Sequence, residues 1–251
     1  MIELGYYQAL ISLILVALAI ALARIKQIPA EKNMIIGTIR SFVQLIAVGY
    51  ALEFIFNSEE FWLVVLAVFV MLVVGAYTAG QQDRHNTGGF RIGAISIGTG
   101  ALVTLGLMLA LEIITTEARY MIPLAGMLIS NAMNASAVTL DRIGADLKAN
   151  RLEIETALSL GKNWREASRR LYRNAVKAGM ISILNYMKTV GLVALPGAMT
   201  GMILAGASPL KAVLIQIIVS YMLLSAVTMT SLITGEMAIR RFFNDAEQFT
   251  G

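Results

Sequence analysis

Residues 61–79 read Phe-Trp-Leu-Val-Val-Leu-Ala-Val-Phe-Val-Met-Leu-Val-Val-Gly-Ala-Tyr-Thr-Ala, a run without a charged side chain. Wound as a helix at 1.5 Å per residue, such a run crosses a hydrocarbon layer about 30 Å thick. Backbone amides and carbonyls in lipid must find partners within the protein, so a continuous run of this length is a helix rather than a strand. Six more runs share this character: Leu4–Ala23, Met34–Phe56, Ile92–Leu111, Met121–Leu140, Lys188–Ala207 and Leu210–Thr234. The fold class that follows is all-α: a polytopic membrane protein with seven transmembrane helices, forming a single transmembrane domain over residues 1–251.

Composition excludes the other classes. Of 251 residues, 57% are hydrophobic and 14% charged, against roughly 25% charged in a soluble domain. The mean hydropathy of +0.72 rules out disorder and leaves too little polar sequence to coat a soluble core. The chain has no Cys, so disulfides, thiolate metal sites and Cys nucleophiles are excluded, and the single His85 cannot build a multi-histidine metal site within one chain. The first apolar run follows Glu3 rather than a basic segment and reads as an anchor, not a cleaved signal.

A pI near 9.4 does not indicate nucleic acid, because the basic residues flank the apolar runs. Arg24, Lys26, Lys32, Arg84, Arg91, the set from Arg142 to Lys177, Arg240 and Arg241 share one side, while only Arg119 and Lys211 lie on the other. Lys and Arg are retained in the cytoplasm. The chain is therefore read as multi-pass in the cell inner (plasma) membrane, N-terminus outside and C-terminus cytoplasmic, with Glu53, Glu59, Glu60 and Glu112 outside.

The longest cytoplasmic stretch, Asp141–Met187, holds nearly half of the basic residues. Long connections are usually functional. Within it, Leu152–Leu160 and Trp164–Ala178 show helical apolar spacing, with Gly161 between them. No phosphate-binding P-loop, zinc-protease helix or serine-hydrolase elbow occurs. Gly98-Thr-Gly100 lies inside a span, where small residues serve helix packing. The cores of the spanning runs also lack carboxylates to titrate, since Asp and Glu fall in loops or near helix ends, so nothing points to proton coupling. The reading is a transport protein, not an enzyme, with no cofactor in this chain.

Glu155, Ala157 and Gly161, followed by Trp164-Arg165, resemble the EAA-x-x-x-G loop of ABC-transporter permeases, with Thr156 where that pattern has Ala. The resemblance implies that Glu155, Ala157, Leu158, Gly161, Trp164 and Arg165 form a coupling helix and turn. It would dock on a separate cytoplasmic ABC ATPase, which would hold ATP and Mg. A bland alternative is an interfacial amphipathic helix with snorkelling basic residues. More widely, Pro123–Met133, Leu158–Gly161 and Lys188–Gly201 are similar to the FetB (YbbM) type of iron export permease and to plant aluminium-tolerance permeases. That likeness implies a homodimeric permease paired with an ATPase and exporting metal ions, iron first.

For the substrate path, Met127, Asn131, Met133 and Asn134 place thioethers and amides at membrane depth, and Pro196, near Met199, interrupts the sixth run. Broken helices free backbone groups for ligands. The same residues also serve as core filler or interhelical glue. Arg40 and Gln44 share a face of the second run, and Lys188 opens the sixth; both cations are read as near the cytoplasmic end, either snorkelling or contacting an anion. The metal ligands are unknown. Ferrous iron prefers carboxylate or imidazole, so iron comes from the resemblance, while the residues leave open an organic or anionic solute such as a sugar nucleotide, or an ATPase-independent channel or scaffold. A reporter fused after Arg241 is expected to be active only on the cytoplasmic side; activity outside would reverse the orientation.

Overall fold

The computed structural model describes residue 8 and residues 11–58, 60–83 and 88–250. Glu3, Glu59, Arg84, His85 and the first residues of the Leu4–Ala23 run lie outside the described residues. Among those described, the chain is all-helical, with α1 Leu13–Ile25, α2 Glu31–Ser58, α3 Phe61–Gly80, α4 Gly89–Ala110, α5 Ala118–Ala149, α6 Arg151–Ser159, α7 Trp164–Thr189, α8 Gly197–Leu204 and α9 Pro209–Arg240. Five of them, α2, α3, α4, α5 and α9, are long and apolar enough to cross a membrane. The chain divides into two compact units, Met1–Glu59 and Glu60–Gly251.

In the first unit, α1 and α2 are joined by a tight turn in which Ile28 donates its N–H to the Ala23 carbonyl at 3.0 Å. Gln27 takes a positive φ of 54° there. Arg24 approaches Glu31 at 3.8 Å across the turn. No side chain of α2 is buried, so its apolar surface is available to lipid or protein.

The second unit is a bundle in which α3, α4, α5, α7 and α9 share one apolar core, including Ile97, Leu128, Ile129, Ile183 and Val219. Lipid offers no hydrophobic drive to join apolar helices, so small residues must let backbones touch. A Cβ on Gly93 would stand 3.1 Å from the Ala76 carbonyl oxygen, where α4 meets α3. One on Gly100 would stand 2.6 Å from Thr230 Oγ1, where α4 meets α9. Where α7 crosses α5 and α9, Gly179 lies against Ala135, Thr139 and Ser231. Hydroxyls tie α9 to α4 and α5. Thr234 Oγ1 lies 2.9 Å from Ser96 Oγ and 3.0 Å from Ser136 Oγ, and Thr230 donates to the Ser96 carbonyl at 3.3 Å. All four residues are fully buried.

The structure corrects the sixth span. A continuous helix over Lys188–Ala207 does not form: α7 starts at Trp164 and ends at Thr189, residues 190–196 leave the helix, and the eight-residue α8 follows. Gly191 takes a φ of +83°. Pro196 disfavours helical backbone at Leu195, so apolarity alone could not sustain a helix there. Nor is Asp141–Met187 a loop with two short helices. α5 continues past Leu140 to Ala149, and α7 is 26 residues long. Its buried residues Ala167, Leu171, Ala175, Val176, Gly179 and Ile183 form one face against the bundle, while Arg169, Arg173 and Lys177 face outward. The charged half lowered its apparent hydropathy and hid a full-length helix. Lys188 consequently stands at the end of α7 remote from the basic segment, not at the basic end.

Gly179→Leu is expected to lower bundle stability by about 1–3 kcal/mol through overpacking against Thr139 and Ser231. The check is a lower thermal midpoint in detergent, with Gly106→Leu, which meets open space, leaving the midpoint unchanged.

Candidate functional site

The α6–α7 corner is built from the two ends of adjacent helices. α6 closes with paired backbone bonds, Gly161 N–H to the Leu158 carbonyl at 2.9 Å and Lys162 N–H to the Ala157 carbonyl at 3.1 Å. These are the bonds of a glycine-terminated Schellman cap, which requires a left-handed residue, and Gly161 has φ +83°. A side chain at Gly161 would meet open space, so the constraint there is conformational rather than steric. α7 then begins with Asn163 as N-cap, its Oδ1 accepting the Glu166 N–H at 2.9 Å. Two oppositely capped helices joined by four residues, 160–163, form a stiff knob.

One face of that knob is seated. Ile154 is fully buried in a second apolar cluster with Leu140, Ile143, Leu147, Leu171 and Ile239, and Ala157, Leu158 and Trp164 pack against it in part. The opposite face projects: Leu152 is 78% and Leu160 77% exposed. Glu155 lies on the surface, paired with Arg151 at 2.7 Å. At this exposure the pair adds about 0.3–0.5 kcal/mol, so Glu155 shapes the electrostatics of the knob more than its stability. Arg170 holds Glu153 at 2.5 Å and Asn150 at 3.3 Å, tying the start of α6 to α7.

Trp164 and Arg165 are anchored rather than free. Arg165 pairs with Glu236 of α9 at 2.9 Å, and the guanidinium carbons of Arg165 and Arg240 lie 5.0 and 5.6 Å from the Trp164 ring centroid. Sequence reasoning missed the segment beyond α9. Phe242, Phe243 and Phe249 are buried there. Phe243 contacts Trp164 at 5.9 Å and Phe249 at 5.6 Å between centroids. The signal available was three phenylalanines in an otherwise charged stretch, where exposed rings would be costly.

The substrate-path candidates divide by helix face. Met127, Asn131 and Asn134 lie along one side of α5, at seven-residue helical spacing, and Asn134 is exposed. Asn131 donates Nδ2 to the Met127 carbonyl at 2.8 Å, a bond within its own helix. Met133 points elsewhere, toward Gly75 of α3. Lys188 and Asn185 are exposed on α7. Since Gly179 meets Ala135 and Thr139 on antiparallel α5, helical rise brings Lys188 to about the height of Met127. Pro196 caps α8, and Met199 is half-buried on it. Gly197 and Gly201 have open space around them, so among the described residues no neighbouring helix uses them for close approach. Arg40 and Gln44 are both exposed on α2 in the first unit. Among the described residues, no group of three or more His, Asp or Glu side chains could hold a metal ion.

These features define a multi-pass helical membrane protein. The chain belongs to the uncharacterised protein family UPF0014, whose model matches residues 6–243. It is similar to the UPF0014 membrane protein STAR2 of Oryza sativa subsp. japonica, 40% identical over 93% of this chain and 82% of that protein. It is similar to ALUMINUM SENSITIVE 3 of Arabidopsis thaliana, 39% identical over 97% of this chain and 89% of that protein. It also resembles the Escherichia coli protein named "Probable iron export permease protein FetB", 34% identical over 95% and 92% of the two chains. No solved structure matches.

Gly161→Val is expected to strain the cap by roughly 1–2 kcal/mol, the cost of left-handed backbone for a residue with Cβ, while Gly161→Asn is tolerated. Hydrogen exchange of residues 157–164 should rise in the Val variant only; equal exchange in both would remove the conformational role of Gly161.

Proposed function

We propose that the chain is the permease subunit of an ABC exporter of metal ions, with iron as cargo as in the name of the E. coli relative. It works as a homodimer with two copies of a separate cytoplasmic ATPase, which binds ATP and Mg. The observation that carries this reading is the knob α6–Gly161–α7: a capped, rigid corner, seated by Ile154 and Trp164, that presents Leu152, Glu155 and Leu160 outward. Nucleotide-driven closure of the ATPases pushes the knob, and the push tilts α7 against α5 and α9 to alternate access between the two sides.

In this reading the chain makes seven crossings of the inner membrane as one permease domain, N-terminus outside and C-terminus cytoplasmic. α7 supplies the sixth crossing, completed by residues 190–208, and the coupling region of about 141–187 comprises the end of α5, α6 and α7. Asn131 and Asn134 of α5, with Asn185 and Lys188 of α7, offer amides and one cation to the path. Lys188 favours a second reading of the cargo, an organic or anionic solute, since a fixed positive charge repels a bare metal cation.

Co-expression with a neighbouring ABC ATPase, followed by purification through this chain alone, should recover both subunits, and the reconstituted pair should hydrolyse ATP faster with ferrous iron present. Stimulation by nucleotide sugars instead would select the second cargo. A chain that purifies alone and moves solute without ATP would overturn the reading.

A further inference from the structure

We infer that the segment Phe242–Thr250 is a strut joining the coupling knob to α9, so that the two move as one body; this rests on the coupling role proposed above for α6. The knob needs such a strut. α6 has nine residues and one fully buried side chain, Ile154, and only Asn150 separates it from α5. Its other ties are the partly buried Ala157 and Leu158 and the surface Glu153–Arg170 pair, so a push from outside needs a further contact if it is to reach the bundle without pivoting α6 on its junctions.

The segment beyond α9 is folded to resist that pivot. It closes on itself: Thr250 donates its N–H to the Phe242 carbonyl at 2.9 Å, and Asn244 donates its N–H to the Gln248 carbonyl at 3.1 Å. Gln248 N–H returns to Asn244 Oδ1 at 2.8 Å. The reversal is made at Glu247, with φ +58°. This closed hook buries three rings, Phe242, Phe243 and Phe249, in the same cluster that seats Ile154.

From there the hook grips both limbs of the knob. The Arg151 guanidinium carbon, on α6, lies 5.9 Å from the Phe249 ring centroid. On α7, Trp164 donates its backbone N–H to Glu247 Oε2 at 3.3 Å and meets the Phe243 ring. The root of the hook is α9 itself, whose Arg240 covers the same indole. α9 then carries Thr230, Ser231 and Thr234 into the crossing with α4, α5 and α7. A push on α6 thus reaches the bundle centre through α9 as well as through α7. The hook also leaves the outer ridge of α6 uncovered, bounding an open cleft of about 620 Å³ that Glu155, Leu158 and Lys162 share with Gln248 and Phe249.

The test uses the full-length chain with its ATPase in lipid vesicles. The sequence has no cysteine, so Ser225→Cys, on an exposed position of α9, takes a single environment-sensitive fluorophore. In the otherwise unaltered chain, trapping the ATPase with ATP and vanadate should shift the emission. Phe249→Ala should keep ATPase capture and ATP hydrolysis within about twofold, yet reduce that shift by at least half, with Phe249→Leu restoring most of it. Glu247→Ala, an exposed change that leaves the rings in place, should produce a smaller loss of the same kind, and it decides the matter if Phe249→Ala does not reach the membrane. An undiminished shift in Phe249→Ala and Glu247→Ala, or in Glu247→Ala alone where the first is not recovered, overturns the strut. Failure of the unaltered chain to capture an ATPase instead overturns the coupling reading beneath it.

Discussion

The structure depends on how closely α7 can approach α5 and α9. In lipid, apolar side chains gain nothing by preferring each other over acyl chains, so association rests on contact area and on polar groups with no better partner. Gly179 supplies the approach of α7, and buried hydroxyls tie together the helices it packs on: Thr234 of α9 bridges Ser96 of α4 and Ser136 of α5. Interhelical hydrogen bonds of this kind add about 0.6 kcal/mol each. Their value is therefore in fixing which residues face one another rather than in bulk stability. With that crossing fixed, the basic end of α7 is set beside α6 and the end of α9, where Arg165 pairs with Glu236; in the proposed function α7 acts from there as a lever.

The lever is amphipathic along its length, and this reconciles its charge with its position. Seven of its residues are buried against the bundle, while Arg169, Arg173, Lys177, Asn185 and Lys188 occupy the outward side. The exposed amide of Asn134 on α5 stands on the neighbouring helix. The two helices together present exposed polar side chains, and Leu192, Val193, Leu195 and Leu204 beyond α7 are exposed apolar ones.

Hydropathy made the spans α2, α3, α4, α5 and α9 legible because each is apolar around most of its circumference, and Gly161 was legible because a glycine between two amphipathic stretches has few other uses. α7 was hidden for the converse reason: its basic outer face diluted the apolar inner one, so a helix was expected over Lys188–Ala207, on an apolar stretch that Gly191 and Pro196 break. The candidate site shows the same limit. Residues Ala157, Leu158, Trp164 and Arg165 were chosen for their place in a motif, yet what anchors Trp164 is Glu247, Arg240 and Phe243, some eighty positions away. No local pattern encodes such contacts. The amide of Asn131 likewise looked available for a neighbour or a ligand, and its bond to Met127 appears only once the helix is built.

The account as a whole stands on contact between the knob and an ATPase. Hydrogen–deuterium exchange over residues 151–163, measured on the purified chain with and without its ATPase, tests this most directly. The account expects slowed exchange throughout that segment in the complex, deepening when ATP and vanadate are added. Exchange that stays the same in the two samples, with the segment open to water in both, would contradict it.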